Sequence, residues 1–229
     1  MESNSACLAR IRRGIHRFVM RKSSIPIDFH NGPRGRYHSV LHRADGVSVR
    51  LEGGSYNRIR GEVGRVPHDI AHLIVEDAFG LGGGLWGTLA AGGIVQNAMF
   101  ASGRKPPHAE RRARAITDRA GESLRQAEIL VRAVCDESLD GGRRDMHGFR
   151  ARVGARWWSP SITSDALGRA RADLREAAKR WDALEEGSIL RLTWPRAARV
   201  VSSRRGDTAN STDKGHRQPP ARPPGAPAA

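Results

Sequence analysis

Four side chains able to ligate a metal or carry a proton, His68, Asp69, His72 and Glu76, fall close together in the segment VPHDIAHLIVED, Val66 to Asp77. If the segment is helical, rotation by about 100° per residue places His72 at ~40°, Glu76 at ~80° and Asp69 at ~100° from His68. One narrow arc then holds all four. Ile70, Ile74, Ala78, Ala71 and Val75 take the opposite side, with Leu73 and Phe79 bordering the polar arc. The polar groups are thus set into an apolar surrounding, which is where ligation and proton transfer gain most from exclusion of water.

His68 and His72 stand at i and i+4, a spacing that lets two imidazoles grip one divalent ion, zinc or iron. The pattern resembles in part the zincin helix H-E-x-x-H, whose glutamate is a general base; here Asp69, one methylene shorter, stands in its place. A third ligand is required. Glu76 lies two turns from His68, roughly 12 Å along the axis, and cannot reach the same ion. Asp69 and His72, at i and i+3, match the carboxylate–histidine spacing of di-metal bundles, but no second such pair accompanies them. The same residues have a purely structural use. Asp69 in a first helical turn complements the helix dipole, and His72 with Glu76 at i and i+4 forms a polar pair.

The elements that must position these groups follow from periodicity. Pro67 suits a first helical turn and Gly80 ends the helix at about Phe79. Tyr37 to Arg43 and Val47 to Glu52 flank Asp45-Gly46 as a hairpin. If Ala44 pairs with Val47, then His42 faces Val49 and Val40 faces Leu51, so His38 and His42 look inward and can supply the third ligand. Further strands are expected from Ile15 to Met20 and from Ile189 to Trp194. Further helices are expected from about Leu85 to Ala101, from about His108 to Leu139, and from Ser164 to a stop at Gly187. Strands, then helices, then a strand give an α+β fold, a small antiparallel sheet covered by about four helices.

The run V-P-H-D-x-x-H-x-x-V-E, the Gly-rich turn into Leu85-Trp86-Gly87 and the closing L-R-L-T-W-P from Leu190 to Pro195 resemble a family of small bacterial proteins with no assigned activity. The likeness spans roughly Tyr37 to Pro195 and implies that hairpin, helices and last strand form one unit. Gly82 to Gly87 matches G-x-G-x-x-G by letter, but it follows a helix rather than a strand, so a tight turn accounts for it.

Composition narrows the remaining classes. Of 229 residues, 39 are Lys or Arg and 24 Asp or Glu, a net charge of +15, and only four of the basic residues are Lys. With 38% hydrophobic residues the chain suits a globular domain, expected over residues 13–201. Residues 1–12 are expected to be flexible. Residues 202–229, with five of the twelve prolines in the last eleven positions, are expected to be a disordered tail. That tail carries five basic and two acidic residues, leaving +12 to the rest. No apolar leader or membrane-length run is present, and Cys7 and Cys135 are too few for a disulfide framework, so a cytoplasmic protein is expected. Cys135, Ser159 and Ser161 have no base arranged beside them by sequence.

The leading expectation is a metal-dependent, hydrolase-like protein with His68, His72, His38 and His42 as ligands and Asp69 or Glu76 as proton carrier. Nucleic-acid binding is the first alternative, resting on Arg104, Lys105, Arg111, Arg112 and Arg114 around the start of the long helix. Arg150, Arg152 and Arg156 beside Trp157-Trp158 extend that basic set. The plain reading of those arginines is a solvated face of an Arg-rich chain. Assembly through the two long helices, as a homodimer or on another partner, is the second alternative.

Overall fold

The computed structural model describes residues 24–54, 56–58, 65–105, 107–139 and 145–195. The expected strand from Ile15 to Met20 and the tail from Ser202 lie outside those residues. The described chain is α+β. Five strands, β1 (Ile25–Asn31), β2 (Tyr37–His42), β3 (Ser48–Glu52), β6 (Ala98–Ser102) and β7 (Ile189–Trp194), form an antiparallel sheet in the order β6-β3-β2-β1-β7. A separate pair, β4 (Tyr56–Arg58) and β5 (Arg65–Pro67), leads directly into the first helix.

β1 was not among the expected strands, although Ile25, Ile27 and Phe29 alternate with Pro26, Asp28 and His30 at the period of a strand. Ile25, Ile27 and Phe29 form a buried face, and β1 lies between β2 and β7 in the sheet. The hairpin joins β2 to β3 as expected, but in a different register. Arg43 N donates to Val47 O at 3.0 Å, so the loop holds three residues, with Gly46 at φ 79°. Leu41 then pairs with Val49 and His42 with Ser48. A shift of one residue turns every side chain over. Tyr37, Ser39 and Leu41 are buried toward the helices, whereas His38 and His42 face the other way.

The helices are α1 (His68–Phe79), α2 (Leu85–Ala90), α3 (Ala109–Leu139), α4 (Met146–Val153) and α5 (Ser164–Asp182). α1 ends on Gly80, at φ 66°, a left-handed cap that glycine adopts without strain. α1 packs against both α3 and α5, and one apolar core unites Ile27, Phe29, Leu41 and Val49 of the sheet with Ile70, Phe79, Trp86, Leu130 and Leu174 of the helices. One expected helix is corrected and one further helix is added. The helix from Leu85 stops at Ala90, because Gly92 at φ 102° turns the chain away, and residues 98–102 become the edge strand β6. α4, capped by Asp145 accepting from Gly148 N at 2.8 Å, carries no periodic apolar stripe long enough to announce it.

Candidate metal centre

α1 turns His68 and His72 toward α3, where they meet Glu128. The two Nε2 atoms are 3.1 Å apart, and the rings meet edge to face at 4.6 Å. Glu128 Oε2 lies 3.4 Å from His68 Nε2, and Oε1 lies 3.3 Å from His72 Nε2. One ligand atom from each residue falls within 4.8 Å of the other two, an arrangement that could hold a metal ion. The side chain of His72 is 1% exposed, that of His68 28% and that of Glu128 60%. The group is therefore closed on the α1 side and open along α3.

Behind His72 stands Glu76, fully buried. Its Oε1 meets His72 Nδ1 at 2.9 Å, and its two oxygens accept from the backbone N–H groups of Leu85 (2.7 Å) and Trp86 (3.1 Å) at the start of α2. A carboxylate at Nδ1 favours the tautomer that leaves Nε2 free to ligate, as outer-shell carboxylates do for metal-bound histidines. The same carboxylate serves α2 as a cap, which its own Gly84 cannot provide. A Cβ on Gly84 would stand 2.3 Å from Glu76 Cδ, so the glycine is needed for the close approach. Burial works against charge on His72, but its hydrogen bonds to the Glu128 and Glu76 carboxylates outweigh it and raise its pKa to about 9. The histidines in turn hold the Glu128 carboxyl well below the usual range, His68 most strongly.

Asp69 points elsewhere. It accepts from Ser39 Oγ at 2.8 Å and from Tyr37 OH at 3.3 Å, while its backbone carbonyl accepts from Trp86 Nε1 at 2.8 Å. Burial raises its pKa, opposed by the Ser39 hydrogen bond and the neighbouring histidines. The Tyr37 phenol is pushed above its usual range by burial and by the Asp69 charge. Asp69 thus ties the first turn of α1 to β2, and the polar arc read from the sequence divides among three neighbours: α3, α2 and the sheet.

His38 and His42 do not join the centre, which corrects the expectation that they supply the third ligand. The one-residue register shift sends them to the outer face, where His38 stacks on His30 at 4.3 Å and His42 Nε2 meets Asp28 Oδ2 at 2.9 Å. The third group beside the two histidines is instead Glu128, which was not among the expected site residues. Its signal lay in the long helix. Glu128 stands one turn after Leu124 and three residues before Val131, so an acidic group borders the apolar seam that packs on α1. Of the basic set, Arg111, Arg112 and Arg114 are exposed on the first turns of α3, with Arg104 and Lys105 exposed just before it. The Arg150 and Arg156 guanidinium carbons lie over the Trp158 and Trp157 rings, at 5.3 and 4.6 Å from the centroids, as cation–π pairs.

No protein-family model matches the chain, and no curated protein or solved structure matches it either.

Proposed function

We propose that the protein binds one divalent ion, zinc in the first instance, through His68 Nε2, His72 Nε2 and a carboxylate oxygen of Glu128. The observation that carries this reading is the convergence of those atoms from two helices, with His72 oriented from behind by Glu76. Two imidazoles and a carboxylate suit zinc or ferrous iron, and three protein ligands leave room for a further one. The exposed side of Glu128 supports approach by a small molecule. An ion in such a set supplies Lewis-acid polarisation of a carbonyl or phosphoryl oxygen, so metal-assisted hydrolysis is the reaction class favoured. Within it the chain's own residues divide the work. His68, His72 and Glu128 hold the ion, Glu76 fixes the His72 ring, and Asp69 fixes the start of α1. Both buried carboxylates are committed to partners inside the protein, so proton transfer falls to a group of the ligand or to solvent.

The test is metal content after zinc loading and dialysis. The wild-type chain should retain about one equivalent, and His72→Ala and Glu128→Ala should each lose it. Glu128 is exposed enough for its removal to leave the fold intact, which circular dichroism checks. Wild-type protein without retained zinc, or unchanged content in both variants, overturns the reading. Hydrolysis of a p-nitrophenyl ester or phosphate by the loaded protein should follow zinc content and fall in Glu128→Ala. Hydrolysis equal in wild type and variant would exclude this centre as its source.

A further inference from the structure

We propose a second binding site, for a nucleotide, in a concave pocket of about 350 Å3 between the β2–β3 turn, the end of α2, β6 and the start of α3. The nucleotide is either free or part of a single-stranded nucleic acid. Arg43, Asp45, Gly92, Phe100, Arg112 and Ile116 line the pocket, whose volume falls in the range of small-molecule sites.

Two guanidinium groups border one cavity with most of their hydrogen-bonding capacity unspent. Each carries five N–H donors. Among the described residues, Arg43 engages Asp45 through Nη2, and Arg112 donates from Nη2 to Pro107 O at 2.7 Å. The Arg43 side chain is 13% exposed, so its charge lies against the protein rather than in bulk water, where an anion is bound most strongly. Asp45 offsets only one of the two charges and is also occupied by the turn, its Oδ1 accepting from Val47 N at 3.1 Å. Gly92 keeps the space clear, since a Cβ there would stand 3.3 Å from Arg43 Nη2.

The remaining lining is apolar. Phe100 is half-buried, and Lys105 Nζ sits 4.8 Å from its ring centroid. An inorganic anion alone would leave Phe100 and Ile116 unused, and an apolar ligand would leave the remaining guanidinium donors unused. A base joined to a phosphate satisfies both, the base against Phe100 and the phosphate on Arg43 and Arg112. Outside the pocket, exposed Arg104, Arg111 and Arg114 continue the positive surface along which a phosphate chain would run, with Glu110, paired to Lys105 at 3.5 Å, as the nearby acid.

The test measures binding of a fluorescent dT12 single strand, its duplex and AMP to the full chain at about 50 mM salt and above. The single strand should bind better than the duplex, with a log–log salt slope of roughly −1.4 or steeper for two or more phosphates. Arg43→Gln/Arg112→Gln should weaken binding about tenfold and flatten that slope, and Phe100→Leu should weaken it severalfold through lost stacking. Arg112→Glu, on an exposed side chain, stands in if the double variant fails to fold. AMP competing with dT12 identifies a free nucleotide as sufficient, and dT12 binding that AMP does not displace identifies the strand. No binding of either probe, equal affinity for the duplex, or affinity indifferent to Arg43 and Arg112 overturns the proposal.

Discussion

His72 is engaged at both ring nitrogens, by Glu76 at Nδ1 and by His68 and Glu128 at Nε2, and its pKa of about 9 expresses that surrounding. The folded value lies above the ordinary 6.5, so the charged cluster stabilises the metal-free protein fully below about pH 6.5, and this contribution is lost as pH rises through about 9. An ion reverses the preference, because it requires the unprotonated Nε2. Zinc affinity, measured by competition with a chromophoric chelator and corrected for the chelator's own protonation, should rise about tenfold per pH unit up to near pH 9. A flat profile would mean that no proton leaves His72 on binding. Asp69 carries a contrasting prediction. Asp69→Asn places an amide where Ser39 and Tyr37 both donate, and should lower stability by about 1–3 kcal/mol in urea unfolding while sparing zinc stoichiometry. Lost zinc at unchanged stability would assign Asp69 a direct part in the centre. His68 and His72 were legible because helical spacing is local. Glu128 was not, because its partnership depends on how α3 lies against α1, and His38 and His42 were misread because one extra loop residue reverses a strand.

At the scale of elements, the Gly-rich turn before α2 and the proposed metal centre share Glu76. The turn must bring Leu85 N and Trp86 N onto a carboxylate that also orients His72, and Gly84 leaves the space for it. Gly84→Ala should therefore reduce stability by about 1–3 kcal/mol through overpacking and weaken zinc binding by roughly 10–100-fold through the disturbed ring. Gly121→Ala is the control. It sits within α3 with nothing near a new Cβ, and should be neutral or stabilising by about 0.5–1 kcal/mol. Equal effects of the two substitutions on zinc affinity would disconnect the turn from the centre. The glycines of this turn read correctly as punctuation, yet the purpose of Gly84, room for a carboxylate in the last turn of α1, is a tertiary fact. α3 and α5 were legible from their three-and-four spacing, whereas β6 was absorbed into a helix until Gly92 broke it.

Across the whole molecule, the helices cover one face of the sheet, and the other face carries charged and imidazole groups. Asp28 joins β1 to the edge strand there, bonded to Arg191 Nε at 2.6 Å and Nη2 at 2.8 Å and to His42 Nε2 at 2.9 Å. Arg191 is the main cause that holds its pKa near 2, against burial and with help from His42. Because that value lies below the unfolded 3.8, the clamp stabilises the protein above about pH 4 and fails as pH falls through about 2. Asp28→Asn should thus flatten the loss of stability between about pH 4 and 2 in urea unfolding; an unchanged acid limb would show that other groups govern it. The proposed metal centre likewise depends on the whole fold, since α1 and α3 are brought together by the core rather than by chain proximity. The most direct test of it is an anomalous difference map recorded at the zinc edge from zinc-soaked crystals. One peak is expected at about 2.0–2.2 Å from His68 Nε2, His72 Nε2 and a Glu128 oxygen. The absence of a peak there, with the two Nε2 atoms still in mutual contact, would contradict the proposed centre.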